Sequence, residues 1–274
     1  AIVLSGGPML DGHWQGRLAG SGTVVWEARR QLAAGEIGYE QFMDMVAASA
    51  PSAGHCNTMG TASSMNALAE ALGMSLPGCA AIPAPYRERA QMAYATGRRI
   101  VEMVHEDLTP SKILTRAAFE NAIVVCSAIG GSSNCPIHIG AIARHAGVEL
   151  PIEAWQEIGH DVPLLVDMQP AGRFLGESFF RAGGVPAVIG ELIRAGRIRE
   201  AALTVTGRSI GENNRDARAA DPEVIRPYDE PLMQQAGFIV MSGNLFNAAV
   251  MKTSVISPEF RARYLSRPGH EGVF

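Results

Sequence analysis

Along most of its length the chain alternates two apolar patterns, runs that repeat at helical spacing and short runs of β-type residues, with glycine or proline between them. A pure sheet or a pure bundle would show one period, so the alternation predicts an α/β fold with a mostly parallel sheet flanked by helices. Helical spacing predicts helices over 24–34, 39–48, 87–106, 112–129, 136–146, 176–182 and 185–195, with Ser111 as the cap of the fourth. A further helix is expected from Thr58, where Met59, Ala62, Met65, Leu68, Ala69 and Leu72 recur, to Gly73, a residue suited to the C′ position. The β-type runs are 1–4, 163–168 and 202–206. After Pro227 the character changes, and 237–241 and 249–253 flank Ser242-Gly243-Asn244 like the arms of a hairpin. The organisation expected is 1–228 as part of an α/β domain and 229–274 as the first strands of a β-rich, barrel-like second domain.

At 274 residues the chain is long enough to bury a sizeable core. Its charged fraction, 18%, falls below the roughly 25% of an ordinary soluble domain, which implies that much of its surface is covered. Lys and Arg number 23 and Asp and Glu 27, giving a net charge of −4 with no basic block. That argues against nucleic acid or an acidic membrane surface and for a small-molecule or protein partner. The longest nearly apolar stretch, 122–129, is far shorter than the roughly 20 residues that cross a bilayer. No secretory signal pattern opens the chain, and four cysteines do not make a disulfide framework, so a reducing, cytoplasmic setting is expected. Position 1 is an Ala in a strand-like run and 267–274 reads as a loop entering another strand. A central piece of a longer polypeptide is therefore expected.

The most informative stretch is Ser52-Ala53-Gly54-His55-Cys56-Asn57-Thr58-Met59-Gly60-Thr61. A thiol just before a helix meets unpaired N–H groups and the positive end of the dipole, which favours the thiolate that nucleophiles and metals both need. The alternative is a buried cysteine that fills space under a glycine-rich turn. A Cys56-dependent hydrolase would need an imidazole from elsewhere, such as His105, His138 or His160, because neighbouring His55 points to another side. Cys79, Cys126 and Cys135 sit in apolar or capping contexts that favour packing, and no Cys-x-x-Cys pair suggests zinc.

Cys56-Asn57-Thr58-Met59-Gly60-Thr61-Ala62-Ser63-Ser64-Met65-Asn66, with Ala69-Glu70-Ala71-Leu72-Gly73-Met74-Ser75-Leu76-Pro77-Gly78, resembles the cluster-cysteine helix of the dihydroxy-acid and sugar-acid dehydratase family. Leu4-Ser5-Gly6-Gly7-Pro8-Met9, Gly130-Gly131-Ser132-Ser133-Asn134 and the 237–245 segment ahead of Lys252 agree in order, so the resemblance spans essentially the whole chain. The His55 loop and Ala81-Ile82-Pro83-Ala84-Pro85-Tyr86-Arg87-Glu88-Arg89 resemble the pentonate branch, which points to D-xylonate as substrate. The resemblance implies a hydro-lyase that turns a sugar acid into a 2-keto-3-deoxy acid. It implies a [2Fe-2S] cluster on three cysteines, of which Cys56 matches the last, and Mg²⁺ on the substrate carboxylate. It places the other cluster cysteines and the Mg²⁺ ligands before residue 1 and the serine base after residue 274, so the 274 residues alone are expected to be inactive. Homodimers or homotetramers are implied as well.

Ser132, in the 130–134 turn, stands where backbone N–H groups meet an anionic substrate or simply cap a helix. Arg87 and Arg89 suit an aldonate carboxylate or form a solvated helix face. Met59, Met65 and Met74 read as core packing. Besides the aldonate dehydratase, three readings stay open: a dihydroxy-acid dehydratase of branched-chain amino-acid synthesis, the Cys56 hydrolase, and a non-catalytic assembly fragment.

Overall fold

The computed structural model describes residues 1–260 and Arg263, so the loop expected over 267–274 lies outside the described residues. The apolar run that is too short for a membrane becomes the centre of the fold. In α6 (Arg116–Ala128) nearly every side chain from Ala118 onward is buried, a pattern that requires neighbours on all sides. α3 (Thr61–Ala71), α7 (Cys135–His145), α8 (Ala154–Gly159) and α10 (Gly184–Arg194) supply them. α10 turns Val185, Val188, Ile189, Leu192 and Ile193 inward. Trp155 of α8 meets Phe238 edge-on at 5.3 Å and carries the core towards the last hairpin.

Outside this core, α1 (Val24–Ala33) and α2 (Tyr39–Ser49) pair with each other, and α4 (Arg87–His105) ends where Asp107 takes a positive φ of 51°. α9 (Gly176–Arg181) and α11 (Ile210–Asn214) are short, the latter started by a reciprocal Ser209–Glu212 capping box. Two features differ from the periodicity. The 112–129 helix is broken into α5 (Pro110–Ile113) and α6, because Leu114 leaves the helical region and Thr115 starts anew in extended backbone. Ser111 therefore lies inside α5, which begins on Pro110, and its hydroxyl meets that of Thr109 at 3.0 Å.

The sheet differs more. Among the described residues the strands form two antiparallel pairs, β1 (Gly12–Trp14) with β2 (Arg17–Ala19) and β3 (Phe238–Met241) with β4 (Ala249–Lys252). The second pair is the expected hairpin. The mostly parallel sheet is not formed there; parallel pairing is limited to isolated bridges, Pro8 with His55 and Met168 with Phe174. The physical reason is where the backbone donors go. Leu165 donates to Ala128 O at the end of α6, Thr204 to Arg208 O within a tight turn, and Val205 to Gly73 O, while Val3 donates to Met74 O. Helix ends and turns thus absorb the donors a ladder would need. The fold is mixed helix and strand with small sheets, and no barrel closes among the described residues. No helix among the described residues is long and apolar enough to cross a membrane. Trp26, Tyr39, Tyr94, Leu245 and Phe246 stand exposed on the surface.

Candidate functional site

The Cys56 loop is held from several sides by backbone. Met9 donates to His55 O at 2.8 Å and His55 donates to Gly7 O at 3.0 Å, which lays Ser5-Gly6-Gly7-Pro8 against it. Gly7 is required there: its φ is +91°, and a Cβ would stand 2.2 Å from Ile82 O. Gly176 donates to Asn57 O and Met59 to Gln169 O, each at 2.8 Å. Asn57 is fully buried and fully engaged, its amide donating to Leu10 O at 2.9 Å and its Oδ1 accepting from Ser21 N at 2.9 Å.

These bonds move the helix start. With Met59 N–H committed to Gln169 and Gly60 in extended backbone, α3 begins at Thr61 rather than Thr58. Cys56 is therefore not seated on the helix N-terminus. Its sulfur instead accepts from Ser21 Oγ at 3.1 Å and contacts Thr58 Oγ1 at 3.0 Å, and it remains partly open to the outside. Ser21 arrives from the β1–β2 hairpin, whose Gln15-Gly16 turn takes positive φ at both residues.

His55 does not serve the thiol as a base. Its Nδ1 lies 2.9 Å from Cys56 O and its Nε2 lies 2.7 Å from Asn66 Nδ2. The Asn66 amide nitrogen can only donate, so Nε2 accepts and Nδ1–H donates to the carbonyl, which describes a neutral ring. Burial, aided by the charge of Arg89, holds the ring's proton affinity below its ordinary value against the opposing pull of the Cys56 carbonyl. Among the described residues no imidazole hydrogen-bonds the Cys56 sulfur.

The 130–134 turn converges on the same helix. Gly130 (φ +61°) and Gly131 close α6, donating to Ser127 O and Cys126 O in the paired pattern of a Schellman cap. The chain then delivers Ser132 to the first turn of α3. Ser132 Oγ meets Thr61 Oγ1 at 2.9 Å, Ser132 N donates to Ser64 Oγ at 2.9 Å, and Asn134 Nδ2 donates to Thr61 Oγ1 at 2.9 Å. Ser132 Oγ also accepts from Asn134 N at the start of α7, so both the capping and the site readings of this turn stand on one hydroxyl. Lys252 of β4 reaches into the turn and donates to Gly130 O at 2.7 Å.

The arginines are placed differently. Arg87 is 85% exposed and paired with its neighbour Glu88. Arg89 turns back to the 5–7 loop, donating to Ile82 O and to Ser5 Oγ. Cys56 and Ser132 are thus brought to one end of α3, while neither arginine hydrogen-bonds to either of them.

The other cysteines are buried. Cys79 packs beside Ser5 Oγ, 3.6 Å away. Cys126 and Cys135 face each other near Lys252; burial pushes the Cys126 thiol well up, and the hydrogen bond from Cys126 holds Cys135 below its ordinary value. Met59 and Met74 are core, as their spacing implies, and Met65 packs against that core. The roles of Ser21 and Asn66 escaped sequence reasoning; the one sequence sign was Gly20-Ser21-Gly22, paired glycines that permit close approach. A groove of about 610 Å³ between the first hairpin, α1 and α2 contains none of these residues.

Residues 1–213 match the model of the family described as dihydroxy-acid/6-phosphogluconate dehydratase, N-terminal. The chain belongs to this family. It is 62% identical over 274 residues to a D-xylonate dehydratase of Caulobacter vibrioides, covering 100% of the chain and 46% of that protein. It is 52% identical over 261 residues to an L-arabonate dehydratase of Azospirillum brasilense, covering 94% and 45%. A dihydroxy-acid dehydratase of Caldanaerobacter subterraneus is 45% identical over 260 residues, covering 94% and 47%. The chain spans about half the length of the curated relatives it matches.

Proposed function

We propose that the protein containing this chain dehydrates a sugar acid, with D-xylonate as substrate, to a 2-keto-3-deoxy acid, and that Cys56 is one thiolate ligand of a [2Fe-2S] cluster. One observation carries the reading: in a member of a dehydratase family, Cys56 is the one cysteine of four left partly open, and its sulfur has hydroxyls rather than a base for neighbours. Such a sulfur fits a thiophilic iron centre, whereas the three buried thiols have no open side from which to hold one. A cluster bound there would supply a Lewis acid for departure of the C3 hydroxyl.

This chain's own residues hold and orient. Neutral His55 ties the Cys56 carbonyl to Asn66 on α3 and so fixes the loop relative to the helix. Ser132, shared between the starts of α3 and α7, is proposed to meet the carboxylate end of the substrate. Arg87, exposed and paired with Glu88, has the freedom to reach a sugar-acid carboxylate, and Arg89 supports the loop from behind. For Mg²⁺ the described residues offer no group of three or more His, Cys, Asp or Glu, and no step is assigned to it. Its ligands, the remaining cluster cysteines and the serine base are proposed for the part of the relatives' length that the chain does not span. The same proposal makes residues 1–228 a cluster-binding domain and the β3–β4 hairpin the start of a barrel-like second domain from residue 229. It makes the isolated bridges the margin of a mostly parallel sheet, in a cytoplasmic homodimer or homotetramer.

The test is turnover by the full-length protein, purified without oxygen and offered D-xylonate, L-arabinonate, D-gluconate and 2,3-dihydroxyisovalerate, with the 2-keto acid measured. D-xylonate is expected to react fastest. Preference for 2,3-dihydroxyisovalerate would move the protein to the branched-chain side of the family. A colourless, iron-free, active protein that loses activity on alkylation of Cys56 would be a hydrolase.

A further inference from the structure

Two hydroxyls touch the Cys56 sulfur, and nothing in the proposed dehydration uses them. The loop that carries the first is shaped for the approach. A Cβ at Gly22 would stand 2.9 Å from the sulfur and 2.5 Å from Thr58 Oγ1, and one at Gly20 would stand 2.7 Å from Thr58 Cγ2. Only glycine on both sides of Ser21 lets the loop close this far. Ser21 is then locked in place, its N–H on Asn57 Oδ1 at 2.9 Å and its Oγ accepting from Asn57 N at 3.2 Å.

Ser21 has one hydroxyl proton and two acceptors within reach, the sulfur at 3.1 Å and Asn57 Oδ1 at 3.0 Å. Asn57 Oδ1 already accepts the Ser21 N–H, and a ligating sulfur is the more strongly charged acceptor, so the proton turns to sulfur. Thr58 follows a different rule. In the free thiol either partner of the 3.0 Å contact can donate. A metal-bound thiolate has no proton, so the Thr58 hydroxyl must be the donor.

We propose that Ser21 and Thr58 are a pair of hydroxyl donors to the Cys56 sulfur that set the electron density of the cluster it holds, an inference that rests on Cys56 being a cluster ligand. Hydrogen bonds to a ligating sulfur draw charge away from the metal, which raises its reduction potential and keeps it electron-poor. Partners of this kind also fix the direction in which the sulfur presents its lone pairs. They are positioning residues, acting through the Cys56 sulfur.

The experiment uses the full-length protein with its cluster, followed by redox titration and visible absorption. Thr58→Val keeps the shape of the side chain and removes the donor; a midpoint potential below that of the wild type is expected, with iron content retained. Thr58→Ser restores the donor and is expected to restore the potential. Ser21→Ala should shift it the same way, and the double variant further than either. Wild-type resonance Raman needs no variant: iron–thiolate stretches are expected to shift on transfer to deuterium oxide. An unchanged potential in Thr58→Val, or wild-type stretches indifferent to deuterium, would overturn the proposal. A wild-type protein without a cluster, or a Cys56→Ser protein that keeps its full iron content, would instead remove the reading beneath it and take this proposal with it.

Discussion

At its C-terminal end α3 is closed by a buried carboxyl and a glycine turn, whereas its N-terminal end supports the loop that carries a partly open thiol, with several hydroxyls and no charged side chain in its own first turn. Glu70 accepts from Gly78 N at 2.6 Å and Ala80 N at 2.9 Å and is 5% exposed. Gly73 and Met74 donate back to Glu70 O and Ala69 O in a Schellman cap. Gly73 O and Met74 O in turn accept from Val205 N and Val3 N, so this end is tied to the rest of the fold. At the other end Thr61, Ser63, Ser64 and Ser132 bond with one another and with nearby backbone through neutral hydroxyls, which are small, rotatable and leave the sulfur reachable. One end anchors the helix, and that anchoring lets the other end hold a reactive group in place without burying it.

Substitutions at the two ends should therefore fail differently. The largest stability effect belongs to Glu70, whose carboxyl burial pushes up to about 7 against the opposing hydrogen bonds from Ala80 and Gly78. Because the folded state holds this proton more tightly than the unfolded chain, stability falls as pH rises from about 4.5 to about 7, by roughly 3 kcal/mol in all. Glu70→Gln should remove that slope. Urea unfolding of the full-length protein and the variant at pH 5 and pH 8 checks it, and parallel pH profiles would refute it. Gly73→Ala comes next, since its φ is +78° and a Cβ would stand 2.9 Å from Leu203 O; a loss of about 1–2 kcal/mol is expected from the same denaturation curves. Ser132→Ala should cost least, about 0.5–1.5 kcal/mol, because Thr61 keeps Asn134 as a partner. Its larger effect is expected on KM for the sugar acid. A Ser132→Ala protein destabilised by as much as the whole Glu70 contribution, about 3 kcal/mol, with unchanged KM, would erase the contrast between the ends.

Local signals made much of this legible in the sequence. α1, α2, α4, α7 and α10 lie within about a residue or two of the spans their apolar spacing implies, and Gly73 ends α3 as a C′ residue should. Pairing over distance was not legible. Residues 163–168 have strand-like composition, yet their donors go to a helix end and to distant loops, which no local pattern encodes. Local patterns singled out Cys56 and Ser132, but Ser21 lies 35 residues from Cys56 and Thr61 lies 71 from Ser132, so their contacts depend on how the loops are folded together. The first hairpin went unread because Gln15-Gly16 is a weaker turn signal than Asn-Gly, although it takes the same positive-φ conformation.

The most direct test is the iron and sulfide content of the full-length protein, purified without oxygen, beside its Cys56→Ser and Cys126→Ser variants. The partly open thiol is expected to be essential and the buried one dispensable. Wild type and Cys126→Ser should be coloured with matching iron, and Cys56→Ser should be bleached while still folded by circular dichroism. A Cys56→Ser protein with wild-type iron and colour would contradict the assignment of Cys56 as the ligand.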